Sequence, residues 1–133
     1  MAFPSTGGGY QFTDGNLNEV KIYPQQAPGA TTATSVTLAA ADVTNGLYTS
    51  TNTAAVAITL PTVATLEALV INPRVGTAFD FVIINLGSSS GAVTMTTNTG
   101  WTLVGSVTVA ISTSARFIAR KTADNAWALY RAA

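Results

Sequence analysis

Phe79-Asp80-Phe81-Val82-Ile83-Ile84-Asn85-Leu86 is the stretch whose reading decides the fold. It opens as a strict alternation of apolar and polar residues, then becomes apolar on both faces. That change suits a β-strand covered on both sides, a central strand of a sheet. The segments around it are also strands. Upstream, Val56, Ile58 and Leu60 alternate with Ala55, Ala57 and Thr59 until Pro61 stops the run. Downstream, the loop Gly87-Ser88-Ser89-Ser90-Gly91 leads into Ala92 to Thr97, with Val93 and Met95 on one face. Asn98-Thr99-Gly100 turns into Trp101-Thr102-Leu103-Val104. After Gly105, Val107, Val109 and Ile111 alternate with Thr108 and Ala110. Ala115 to Lys121 and Ala126 to Arg131 flank Thr122-Ala123-Asp124-Asn125 and read as a closing hairpin. The abundance of Thr and Val fits pleated, half-buried surfaces.

Helix is a minor part of this reading. Val63, Leu66 and Val70 share a helical face just after Pro61-Thr62, which predicts one short helix near 62–70. Ala39-Ala40-Ala41-Asp42-Val43 predicts another turn or two, ended by Asn45-Gly46. No repeat of solenoid type is visible. The expected fold is all-β: a compact antiparallel β-sandwich or small β-barrel with one or two short helices.

Residues 1–34 differ in composition. They hold Gly7-Gly8-Gly9, Gly15, Pro24, Pro28 and Gly29, with the spaced aromatics Phe3, Tyr10, Phe12 and Tyr23. Apart from Val20-Lys21-Ile22-Tyr23 there is no sustained period. The chain therefore divides into an extended N-terminal arm, 1–34, and a β domain, 35–133.

With 133 residues, the chain has room for one core. Charged residues make up 9% of it, against roughly 25% in an average soluble domain. Six Lys and Arg balance six Asp and Glu. A surface so poor in charge favours association. Without Cys or His, the chain lacks thiol chemistry, zinc knuckles and the commonest general base. Zero net charge argues against nucleic-acid binding. No apolar run reaches the roughly 18 residues a membrane helix needs. Met1-Ala2-Phe3-Pro4-Ser5 lacks the basic and apolar regions of a signal peptide, which predicts a protein made and used without Sec export.

The local motifs resolve into structural readings. Asp14-Gly15-Asn16-Leu17-Asn18-Glu19 has the first oxygens of a calcium loop, but Glu19 stands where Gly is required and Gln25 where Glu is. It reads as a polar turn. Gly7-Gly8-Gly9 follows no strand and opens no helix, so it is neither a P-loop nor a dinucleotide fingerprint. Asp80, between two Phe residues, reads as a strand carboxylate facing solvent or a partner's Arg. Arg116, Arg120 and Arg131 read as ion-pairing groups, within the chain or at a subunit contact. Trp101 and Trp127 read as core or interface residues. The expectation is no catalytic residue, no metal and no cofactor. A small hydrolase built on Asp and Ser has no catalytic signature behind it.

The body of the chain resembles small β-rich virion proteins of tailed bacteriophages, several of them capsid decoration (cement) proteins. The resemblance rests on Ile58-Thr59-Leu60-Pro61-Thr62, Asn72-Pro73-Arg74-Val75-Gly76, Phe79-Asp80-Phe81, Ile84-Asn85, Gly100-Trp101-Thr102-Leu103-Val104-Gly105, Ala115-Arg116-Phe117 and Trp127-Ala128-Leu129-Tyr130-Arg131. It covers roughly 35–131 and leaves the arm out. It implies a protein on the outer surface of the head, often a homotrimer, that stabilises contacts between major capsid protein subunits. Decoration proteins commonly touch that partner with a terminal arm, and Phe3, Tyr10, Phe12 and Tyr23 are the anchors this predicts. An alternative within the resemblance is a head-fibre or tail-appendage module for host or glycan adhesion, using Trp101, Trp127 or Tyr130 at an exposed tip.

Overall fold

The computed structural model describes residues 24–133; the predicted anchors Phe3, Tyr10, Phe12 and Tyr23 and the Val20–Tyr23 stretch lie outside them. In chain order the elements are β1 (Gly29–Thr31), β2 (Ser35–Thr37), α1 (Ala40–Asn45), β3 (Leu47–Ser50), β4 (Val56–Thr59), α2 (Val63–Leu69), β5 (Ala78–Asn85), β6 (Val93–Thr96), β7 (Trp101–Val104), β8 (Thr108–Val109), β9 (Thr113–Ala123) and β10 (Ala126–Arg131). A six-stranded sheet has the order β1-β3-β5-β9-β10-β7, and a four-stranded sheet the order β2-β4-β6-β8.

Both sheets are mixed, which corrects the expected antiparallel sandwich or barrel. The chain changes sheet at almost every step. Strands that return to the same sheet therefore run in the same direction, with the other sheet and a loop or helix serving as the crossover. Strands β1, β3 and β5 are parallel in one sheet, and β2, β4 and β6 in the other. The result is three stacked coils: β1–β2, β3–β4 and β5–β6. Gly29, Tyr48 and Ile83 stack across these coils, as do Val36, Ile58 and Met95. Antiparallel pairing enters with β8 against β6 and with the β9–β10 hairpin, whose first strand pairs with β5 and whose second pairs in parallel with β7. Neither sheet closes into a barrel among the described residues.

Strand β5 is the central strand that its sequence predicts, flanked by β3 and β9. Phe81 and Ile83 point inward and are fully buried. Val82 and Ile84 point outward and are half-covered by their neighbours. Residues from both sheets build one core: Ile58, Val93, Met95 and Val109 from the four-stranded sheet, and Phe81, Ile83, Phe117, Trp127 and Leu129 from the six-stranded one.

The two helices plug the core. Helix α1 buries Ala40 and Val43 and ends at Gly46, whose φ of 79° gives the left-handed C-terminal residue its sequence predicts. The Gly46 N–H donates to the Val43 carbonyl. Helix α2 buries Val63 and Leu66, and the Thr62 side chain caps its start by accepting from the Thr65 N–H at 3.2 Å. No helix among the described residues is long and apolar enough to cross a membrane.

Candidate binding surfaces

Both sheets end together at the first coil. Strand β1 is the edge of the six-stranded sheet, and β2 is the edge of the four-stranded one. The Thr51 N–H donates to the Thr31 carbonyl at 2.9 Å, which fixes the phase of the parallel ladder. In that phase Gly29 and Thr31 turn their backbone groups to β3, so Ala30 turns its N–H and C=O to the free edge. The same reasoning applies to β2. Thr34 accepts from the Ala57 N–H at 2.9 Å, and Leu38 donates to the Thr59 carbonyl at 2.8 Å. Ser35 and Thr37 therefore face outward. No charged residue occurs between Pro24 and Ala41. Sheet edges are commonly protected by Lys, Glu or a covering element. This pair of edges is short but has no charge to repel an incoming strand.

The outward face of the six-stranded sheet is a second surface. Register places Leu47, Val82 and Arg116 in one row, and Asp80, Ile118, Tyr130 and Val104 in the next. Arg116 and Ile118 share this face with Arg120, which lies beside Ala78 and Ala128. Arg116 grips Asp80 through Nη2 at 3.0 Å and Nε at 3.3 Å, so the Arg expected to meet Asp80 comes from its own chain. The two side chains are 49% and 57% exposed. An ion pair this wet adds between zero and about 1 kcal/mol. Arg131 has a different role. Its Nη1 donates to the Thr108 carbonyl at 2.9 Å, its Nε donates to the Ala133 carbonyl at 2.6 Å, and its guanidinium lies 5.6 Å from the Phe117 ring centroid. It ties the chain's last strand to β8. Arg120, like Arg116, is exposed on this face.

The third surface is apolar and was missed in the sequence reading. Leu69, at the end of α2, and Ile71 and Val75, in the loop before β5, are 50%, 80% and 59% exposed. A groove of about 500 Å³ opens at Leu69 and Val70, lined also by Pro24, Gln26, Ala41, Thr44 and Asn45. The signal was present: Asn72-Pro73 and Gly76 mark a loop, so apolar residues among them had no strand or helix to bury them. Asn72 adopts a φ of 53° in that loop.

The remaining polar groups are committed to structure. Glu67 accepts from Lys121 Nζ at 2.5 Å and from the Trp127 indole N–H at 3.0 Å. Those hydrogen bonds, from Lys121 first and then Trp127, hold the Glu67 carboxyl below its ordinary value of 4.5. Asp42 accepts from the Ala39 N–H at the start of α1. Buried Asn85 donates to the carbonyls of Gly91 and Val109 and accepts from the Gly87 N–H. Among the described residues no three His, Cys, Asp or Glu side chains come together as a metal site would require.

Trp101 and Trp127 are 6% and 0% exposed, in agreement with the packing reading. Their rings pack 6.1 Å apart, and the Trp101 indole donates to the Pro61 carbonyl at 2.7 Å. Neither ring offers a face for a sugar. Tyr130 is half-buried on the outward sheet face. The chain matches no protein-family model, no curated protein and no solved structure.

Proposed function

We propose that this chain is a capsid decoration protein of a tailed bacteriophage, acting by binding rather than by catalysis. In this reading it sits on the outer surface of the assembled head as a homotrimer. It bridges neighbouring major capsid protein subunits, with the segment ahead of β1 as the anchoring arm, since Gly29–Thr31 of the expected arm 1–34 belong to the six-stranded sheet. Binding to the assembled shell and not to free subunits favours the shell by mass action. Many copies on one lattice add avidity.

The observation that carries the reading is how the charge is distributed. Of the nine ionic groups in residues 35–133, six bond within the chain, Glu67 with Lys121, Asp80 with Arg116 on the outward sheet face, Asp42 at α1 and Arg131 at β8. The exterior keeps large apolar side chains at Leu69, Ile71, Val75, Leu86 and Val104. Such a surface suits a protein covered by partners in an assembly. The resemblance to phage virion proteins over 35–131 supplies the kind of assembly.

The test is removal of residues 1–23. Residues 24–133 by themselves build both sheets and a core drawn from the two, so the truncated chain is expected to fold with an unchanged β spectrum. Its occupancy on purified heads is expected to fall at least tenfold. Full occupancy without the segment would remove the arm from the account.

A further inference from the structure

We propose that Asn45-Gly46 is a self-modification site, which Gln25 and Ala27 hold closed and whose deamidation loosens the chain at its entry to β1. It is the one Asn-Gly step in the sequence. The reaction at such a step needs no enzyme. The Gly46 nitrogen loses its proton and bonds to Asn45 Cγ, the bond from Cγ to Nδ2 breaks, and ammonia leaves behind a five-membered succinimide. Water then opens that ring to aspartate or isoaspartate, so the only co-reactant is water. Glycine favours the closure because it has no Cβ to crowd the ring.

The fold needs both residues. Gly46 ends α1 with a φ of 79°, and a Cβ there would lie 2.9 Å from the Asp80 carbonyl oxygen. Asn45 uses its whole side chain. Its Nδ2 donates to the Ala27 carbonyl at 3.0 Å, and its Oδ1 accepts from Gln25 Nε2 at 2.9 Å. Gln25 Nε2 also donates to the Asn45 carbonyl at 2.9 Å. Gly46 is tied on both sides: its N–H donates to the Val43 carbonyl at 3.0 Å, and its carbonyl accepts from the Val82 N–H at 2.8 Å. Ring closure requires Cγ and the Gly46 nitrogen to come to bonding distance with that proton free to leave. Neither group turns without breaking one of these bonds.

The bonds to Val43 and Val82 belong to a helix end and a sheet. Those to Gln25 and Ala27 are exposed and belong to a segment outside both sheets, so they open first. A cavity of about 370 Å³ borders Gln25, Asn45 and Gly46 and gives water access to the step. The products do not restore the closed arrangement. Aspartate at position 45 has no N–H for the Ala27 carbonyl, so two acceptors face each other. Isoaspartate adds a methylene to the main chain between α1 and β3. Ala27 stands just ahead of Gly29, the first residue of β1, so either product loosens the approach to that strand. The change runs one way, since the ammonia is lost to solvent.

The full-length chain would be kept in warm, mildly alkaline buffer and digested at intervals. Mass spectrometry would follow Asn45, and enzymatic methylation would count isoaspartate. The same chain in urea gives the unprotected rate. Asn45 is expected to react about tenfold or more slowly in the folded chain than in urea. Gln25→Ala is expected to raise the folded rate several-fold with an unchanged thermal midpoint. Asn45→Asp, one of the two products, is expected to speed hydrogen exchange at the β1 amides and to leave β5 and β9 protected. Equal rates in the folded chain and in urea overturn the proposal. So does a Gln25→Ala chain that reacts no faster than the unaltered one, or an Asn45→Asp chain whose β1 amides exchange as slowly as before.

Discussion

Lys121 donates to Glu67 across 2.5 Å, and this contact fastens helix α2 to the interior face of the six-stranded sheet. The Lys121 side chain is 6% exposed, so it depends on that carboxylate for its charge balance. Glu67→Gln keeps the shape and the Trp127 hydrogen bond but leaves a buried ammonium without its counter-charge. A loss on the order of 3 kcal/mol of unfolding free energy is expected. Urea denaturation at neutral pH checks it, and a loss under about 0.5 kcal/mol would show the pair to be dispensable.

The same pair gives a pH dependence. The folded state holds the Glu67 carboxyl below its unfolded value of 4.5. A carboxyl with a lowered folded pKa contributes stability that is complete above the unfolded pKa and is lost as pH falls through the folded one. The thermal midpoint is therefore expected to decline from just above pH 4.5 downward. Glu67→Gln is expected to show a shallower decline. Parallel acid profiles for the two proteins would contradict this assignment.

Asn85 should be the most costly polar side chain to remove. It satisfies the carbonyls of Gly91 and Val109 and the N–H of Gly87 in a buried site. Each buried group left unsatisfied costs roughly 1–3 kcal/mol. Asn85→Ala is expected to lose about 3 kcal/mol or more in chemical denaturation. Gly91→Ala tests the same corner by crowding: an added Cβ would lie 2.4 Å from the Asn52 carbonyl oxygen. A cost of about 1–3 kcal/mol is expected.

Arg116→Ala separates structural from partner roles on the outward sheet face. Its pair with Asp80 is exposed, so a change under about 1 kcal/mol in stability is expected. A clear loss of head occupancy with stability retained would place Arg116 at the partner contact. Equal occupancy would leave it a surface ion pair alone.

The strands were legible because period-two alternation reports local burial. Val56, Ile58 and Leu60 are all buried, and so are Val93 and Met95. The helix ends were legible through Thr62 and Gly46, whose chemistry is local. Strand pairing was not. Gly29 stacks on Tyr48 and Tyr48 on Ile83, but the sequence steps between them are unequal, because α1 leads almost directly into β3 whereas the loop 70–77 separates α2 from β5. Unequal steps leave no repeat to see, and neighbouring strands then look like hairpin partners when only β9 and β10 are. The Glu67–Lys121 contact was equally hidden, since it joins residues far apart in the chain through a fold that had first to be known.

The central claim is lattice-wide binding, and copy number tests it most directly. If the proposed function holds, quantitative mass spectrometry of purified virions would compare the abundance of this chain with that of the major capsid protein. The account predicts a near-stoichiometric ratio, with hundreds of copies per virion. A dozen copies or fewer would assign the chain to a vertex, neck or tail, and absence from the particle would contradict the account outright.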